Sequence, residues 1–298
     1  MGTDSTDEGT RTEPFGEALR RAVRLTDLLV LVGIAGALVA VHALKRGTRE
    51  SLAFDTTAPT VATAFTSHFV HLTDLHLIGN LAVYVPAVSI AYLLCVLSGR
   101  RQLFLTALVT LLVVFPFALS GLQLVFPRER LIYGFSGITA GIVGLAGFAL
   151  VGYLRETIAP WIGDEYAPAI LFAMTGATAL IALPDRAWRV EIGLGALALG
   201  AAYAGGAARG EGLLDRARMQ AALGRPGYPE LAGTAAGLLV GYPFVAFQEA
   251  VVPGGGVVDV YVHLLGYALA FIVVFAFVFL SRVLEDGWQS QSDGYNKY

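Results

Sequence analysis

Long apolar stretches separated by short charged segments dominate this chain. Stretches at about 26–44, 76–97, 103–125, 136–154, 166–183, 187–207, 231–251 and 260–281 carry few charges. Each approaches the roughly 20 residues that a helix needs to cross the hydrocarbon core of a bilayer. The pattern predicts an all-α fold, a polytopic transmembrane helical bundle of about eight helices. Between the fifth and sixth stretches, Pro184, Asp185, Arg186 and Arg189 leave room only for a tight turn. Residues 1–24 read as a polar tail whose end forms a short amphipathic helix, 25–283 as the membrane domain, and 284–298 as a flexible polar tail.

Composition supports the same picture. Of 298 residues, 56% are hydrophobic and only 14% charged, against about 25% charged in an ordinary soluble domain. The mean hydropathy is +0.66. A net charge of −3 offers no broad basic surface for nucleic acid. The single cysteine, Cys95, excludes a disulfide within the chain. The first residues are too polar for the apolar core of a secretory signal. With the N-terminus inside, the inner flanks hold 13 of the 20 Lys and Arg residues and the outer flanks the other 7. The positive-inside bias thus places both termini in the cytoplasm.

Polar residues beside lipid need a reason, and three groups stand out. All five histidines, His42, His68, His71, His76 and His263, fall near the outer ends of helices in this topology. In the first group, His71-Leu-Thr-Asp-Leu-His76-Leu-Ile-Gly-Asn80, the last His and the Asn are four apart and share a helix face. Both can donate toward one point, as a developing oxyanion requires. The second, Gly134-Phe-Ser136-Gly137, opens the fourth stretch, where unpaired N–H groups of a first helical turn surround the hydroxyl. The third is His263-Leu-Leu-Gly266 in the last stretch, whose glycine shares a face with the imidazole and lets that helix press against Gly137 and Gly141. A neutral imidazole beside Ser136 would accept its proton and make it nucleophilic. Taken singly each group has a plainer reading: an interhelical hydrogen bond for Asn80, a cap for Ser136, and packing for the glycines.

Jointly, His71-x4-His76-x3-Asn80, Gly134-x-Ser136-Gly137 and His263-x-x-Gly266 resemble the motifs of the rhomboid intramembrane serine proteases. The resemblance covers roughly 26–154 and 231–281. It implies Ser136 as nucleophile, His263 as general base, His76 and Asn80 at the oxyanion, and His71 in support. Gly141 and Gly144 match small positions along the nucleophile helix. It also implies a six-helix core, here with about two extra helices inserted at 166–207; an even insertion keeps Ser136 and His263 on one side. No cofactor is implied, the partners are transmembrane protein substrates and the lipid bilayer, and the place is the cell membrane. The chain departs from the family pattern at Ala140, where an aromatic residue often lies under the histidine, at Ala270, and in residues 45–66, which lack tryptophan. His263 therefore needs another orienting partner, with Tyr133, Tyr261 and Asp259 available in the sequence.

Two other classes compete. A catalytically inactive rhomboid-like protein would bind membrane-protein clients without cutting them, yet such relatives usually lose the dyad. A transporter would carry charges deep in several helices, and the mid-span positions here are apolar. A zinc site at His68, His71 and His76 lacks the H-E-x-x-H pattern. Cleavage activity is accordingly expected to survive EDTA unchanged; its loss in a chelator titration, with recovery on adding zinc, would point to a metalloenzyme.

Overall fold

The computed structural model describes residues 13–125, 129–160, 162–182, 187–209, 220–221, 223–247, 251–252, 256–257 and 260–295. Twelve α-helices run through them: α1 (Phe15–Ala22), α2 (Leu25–His42), α3 (Arg46–Ser51), α4 (Val61–Thr66), α5 (Asp74–Leu97), α6 (Arg101–Val113), α7 (Phe115–Gln123), α8 (Ser136–Thr157), α9 (Pro168–Ala182), α10 (Ala187–Arg209), α11 (Tyr228–Ala246) and α12 (Val260–Tyr295). Two short antiparallel ladders join β1 (Phe54–Asp55) to β2 (Leu131–Ile132) and β3 (Val251–Val252) to β4 (Gly256–Val257).

Four of these helices, α2, α5, α8 and α12 as far as Leu284, are long and apolar enough to cross a membrane. A fifth span is available if α6 and α7, bent by 44° at Val114, count as one. This is fewer than the eight stretches expected. The third stretch is broken where Pro116 forces a new helix start. The fifth yields only the 15 residues of α9, about 22 Å of rise. Glycines, with Glu230 at the start of α11 and Arg189 and Glu191 in α10, dilute the two remaining stretches. At the other extreme, α12 stays helical to Tyr295, through the segment read from polarity as a tail. The segment after α2 is likewise folded, into α3, β1 and α4.

The bundle is built around α8, of whose membrane-length window 94% is buried. Its sequence explains that position, because glycines at 137, 141, 144, 147 and 152 strip side chains from the faces that meet neighbours. A Cβ added at Gly144 would lie 2.3 Å from the Tyr267 carbonyl oxygen of α12, and one at Gly266 would lie 2.1 Å from that of Gly137. These two helices touch backbone to backbone, in close van der Waals complementarity. Helix α5 covers another face of α8, and α9 with α11 reach Gly147 through Ile170 and Leu239. By contrast α2 exposes most of its apolar surface and is held to α5 by Tyr84, whose hydroxyl donates to the Leu31 carbonyl at 3.0 Å.

Charged pairs fasten one end of the bundle. Asp27 accepts two hydrogen bonds from Arg101, at 2.5 and 2.7 Å, and one from Tyr92 at 2.9 Å, joining α2, α5 and α6. Asp164, in the turn before α9, receives Arg100 at 2.9 Å, Arg155 at 3.3 Å, and Arg282. One buried carboxylate thereby ties the start of α6 to the ends of α8 and α12's membrane-length part.

The glycine contacts make a direct forecast. Gly144→Ala should destabilise the protein by about 1–3 kcal/mol, because the added methyl meets rigid backbone. Gly237→Ala, with nothing within 4 Å, should leave the midpoint of thermal unfolding in detergent unchanged or raised. Equal behaviour of the two variants would contradict the packing.

Candidate functional site

All of the sequence-predicted site residues gather at the end of the bundle where α5, α8 and α12 begin. The Thr73 side chain caps α5 by accepting from the His76 N–H at 3.3 Å, which starts the helix at Asp74 and puts His76 in its first turn. Asn80 follows one turn later and donates from Nδ2 to the His76 carbonyl at 2.9 Å; its Oδ1 is buried without a partner. Helix α8 starts at Ser136, so the N–H groups of its first turn have no helical acceptor and crowd around that residue.

The loop before Ser136 is held from two sides. The Gly134 N–H donates to the Ser67 carbonyl at 2.9 Å. The Phe135 N–H points at His71 Nε2 over 3.5 Å, so that nitrogen is the acceptor and the proton of the neutral ring sits on Nδ1. Gly134 is the position that demands glycine: its φ is +118°, and an added Cβ would lie 2.7 Å from His76 Cε1. The loop therefore rests directly on the His76 imidazole. That ring is flanked edge-on by His71 at 5.0 Å and Tyr133 at 5.5 Å between centroids.

From the other side comes α12. Val262, the neighbour of His263, covers Gly137, the neighbour of Ser136, so that a Cβ there would fall 2.5 Å from Val262 Cγ1. The imidazoles of His76 and His263 are close enough to interact electrostatically. His263 is 6% exposed, and its Nδ1 lies 2.6 Å from the Ala246 carbonyl oxygen. A carbonyl can only accept, so Nδ1 carries the proton and Nε2 is the acceptor nitrogen of the ring. Ala246 ends α11, where the last carbonyls lack helical N–H partners. The ring also stands edge-on to Phe247 at 6.2 Å.

A main-chain oxygen, which the sequence could not name, thus orients His263; of the three candidates available in the sequence, Tyr133 packs on His76 instead. Asp259 lies outside the described residues. Ala140, where an aromatic residue was missed, sits beside Gly266 at 3.1 Å from its would-be Cβ. Ser136 is half-buried, and among the described residues its hydroxyl makes no hydrogen bond, to His263 or to any other side chain. Nucleophile–base contacts are often loose before substrate binds.

Two further braces were not anticipated. Arg49 Nη1 bridges His42 Nδ1 at 2.9 Å and the His71 carbonyl at 2.6 Å, the same carbonyl oxygen lies 3.0 Å from His42 Nδ1, and His42 Nε2 meets Asp74 Oδ1 at 2.8 Å. His68 Nε2 meets Ser120 Oγ at 3.0 Å, and that hydroxyl spends its own proton on the Ala64 carbonyl at 2.8 Å. This second serine–histidine pair is fully buried and its hydroxyl is already committed, so it clamps α7 to the turn at Ser67–Phe69. Among the described residues no cluster of three or more His, Cys, Asp or Glu side chains is arranged to hold a metal ion. Compared with known protein families, curated proteins and solved structures, the chain finds no match.

Burial pushes His68 down to about 4. His71 falls to about 3, through burial first and then the charges of His76, His42 and Arg49. Below the ordinary value of 6.5 the unfolded chain takes up protons that the folded one refuses, so stability falls as pH drops through that window. The unfolding midpoint should decline from pH 6.5 toward 4, and a His71→Gln variant, followed by circular dichroism, should show a shallower decline.

Proposed function

We propose that this chain is an intramembrane serine protease of the rhomboid type, cutting peptide bonds at or just within the membrane surface of transmembrane substrates. The observation that carries the reading is the meeting, at one end of the bundle, of the Ser136 helix start, His76 and a His263 whose Nδ1–H is fixed by the Ala246 carbonyl. In this reading α2, α5, the bent α6–α7 pair, α8, α11 and α12 form the six-helix core, α9 and α10 the inserted hairpin, and both termini lie in the cytoplasm.

Ser136 Oγ attacks the substrate carbonyl carbon as its proton passes to His263 Nε2. The negative charge that develops on the carbonyl oxygen faces the N–H of Ser136, with His76 and the second amide N–H of Asn80 within the same pocket. The Ala246 carbonyl, at the negative end of α11, stabilises the imidazolium that forms and serves where an aspartate stands in a triad. Breaking the C–N bond, the leaving amine takes the proton from Nε2. Water then attacks the ester, giving a proton to His263, and the cleaved C–O bond returns the hydroxyl to Ser136. His71 touches no reacting atom; it supports the Phe135 N–H and so the loop.

The second reading is a client-binding protein without activity, favoured by the Ser136 hydroxyl having no hydrogen bond among the described residues. The two readings separate cleanly. In proteoliposomes carrying a single-span substrate, Ser136→Ala and His263→Ala should abolish cleavage, and His76→Ala should lower kcat by about 10²–10³-fold. A fluorophosphonate probe should label the native chain and not Ser136→Ala. Absence of both labelling and cleavage would establish the binding protein; cleavage persisting in both dyad variants would refute the chemistry.

A further inference from the structure

At the end of the bundle opposite this site, a crevice of about 190 Å³ opens between α8 and α12 beneath the Asp164 turn. Its throat is aromatic. Phe148 meets Phe275 edge-on at 6.5 Å, and Phe275 stacks with Phe279 at 6.2 Å. Its mouth carries Asp164, Glu165 and Arg282.

These three charges differ in how far they are committed. Asp164 is consumed by three guanidinium groups. Arg282 gives only Nη2 to it and is 41% exposed along its side chain, so among the described residues Nε and Nη1 keep donors without an acceptor. Glu165 is exposed and has no hydrogen-bond or ion-pair partner among the described residues. The mouth thus presents guanidinium donors and one carboxylate above a hydrocarbon-lined slot. A phosphate matches the first, an N–H-bearing ammonium the second, and an acyl chain the third.

We propose that this crevice binds a phosphoethanolamine-headed phospholipid, with its phosphate on Arg282, its ammonium on Glu165 and an acyl chain along Phe148, Phe275 and Phe279. A purely anionic headgroup would meet repulsion from Glu165 without satisfying it. A choline head carries the right charge but no N–H to donate to the carboxylate. The inference rests on the chain lying in a bilayer and is independent of the peptidase chemistry, which none of its tests reads.

Full-length protein in mild detergent is offered equal amounts of ethanolamine, choline and glycerol phospholipids with identical acyl chains, and bound lipid is counted by native mass spectrometry. The expected result is preferential retention of one ethanolamine lipid. Glu165→Gln should reduce its preference over choline lipid by about tenfold, the worth of one hydrogen bond to a charged group. Phe279→Ala, on an exposed position, should reduce retention of all three. Arg282→Gln should do the same, but this residue also holds Asp164, so the other two variants decide the matter if it fails to fold. Equal retention of the three lipids, preference for the glycerol headgroup, or an unchanged preference in Glu165→Gln would overturn the proposal. So would free phosphoethanolamine displacing the lipid, since that would make the ligand a soluble molecule.

Discussion

The closeness of α8 and α12 is the constraint on which the rest depends. With Gly266 lying on the Gly137 carbonyl and Gly144 on that of Tyr267, the two backbones are as near as helices get. In a lipid solvent such contact is decided by shape, because apolar side chains gain little by leaving lipid for protein. Fixing Gly137 against Val262 and Gly266 also fixes the heights of Ser136, one residue before the first glycine, and of His263, three before the second. The site inherits its geometry from a packing contact that contains no reactive group.

Polar interactions finish what the glycines begin, and they are segregated to the two ends. Asp27 and Asp164 hold one end through arginines, while His42, Arg49 and Asp74, together with His68 and Ser120, hold the other. Such pairs contribute little net stability when buried, yet breaking one leaves an uncompensated charge or dipole. Their effect is to fix register: a helix sliding by one turn would strand several of them at once.

Much of this was legible in the sequence. Apolar runs gave the positions of α2, α5, α8 and the membrane-length part of α12 to within a few residues, and the motifs of His76, Gly134, Ser136, His263 and Gly266 lie together at one end of the bundle. The number of membrane-length helices was not legible, because a hydropathy run does not reveal the break at Val114 or the shortness of α9. The partner of His263 was hidden for a different reason. A main-chain carbonyl has no letter of its own, and only the fold shows that α11 stops at Ala246 beside the imidazole. Asp164 left a clue, three arginines near helix ends, but no rule of spacing links residues at 100, 155 and 282. The structure of the segment after α2 was not legible either, since its helices α3 and α4 are only six residues each.

The choice of a backbone oxygen to steady His263 has a genetic consequence. No codon change at position 246, other than one that moves the chain, can delete that acceptor, whereas an aspartate in the same role is one nucleotide away from loss. The tautomer of His263 is thereby insulated from local substitution and made hostage to distant ones: whatever shifts the end of α11, including its packing through Tyr228 on Phe15 at the far end, reaches the proton on Nδ1.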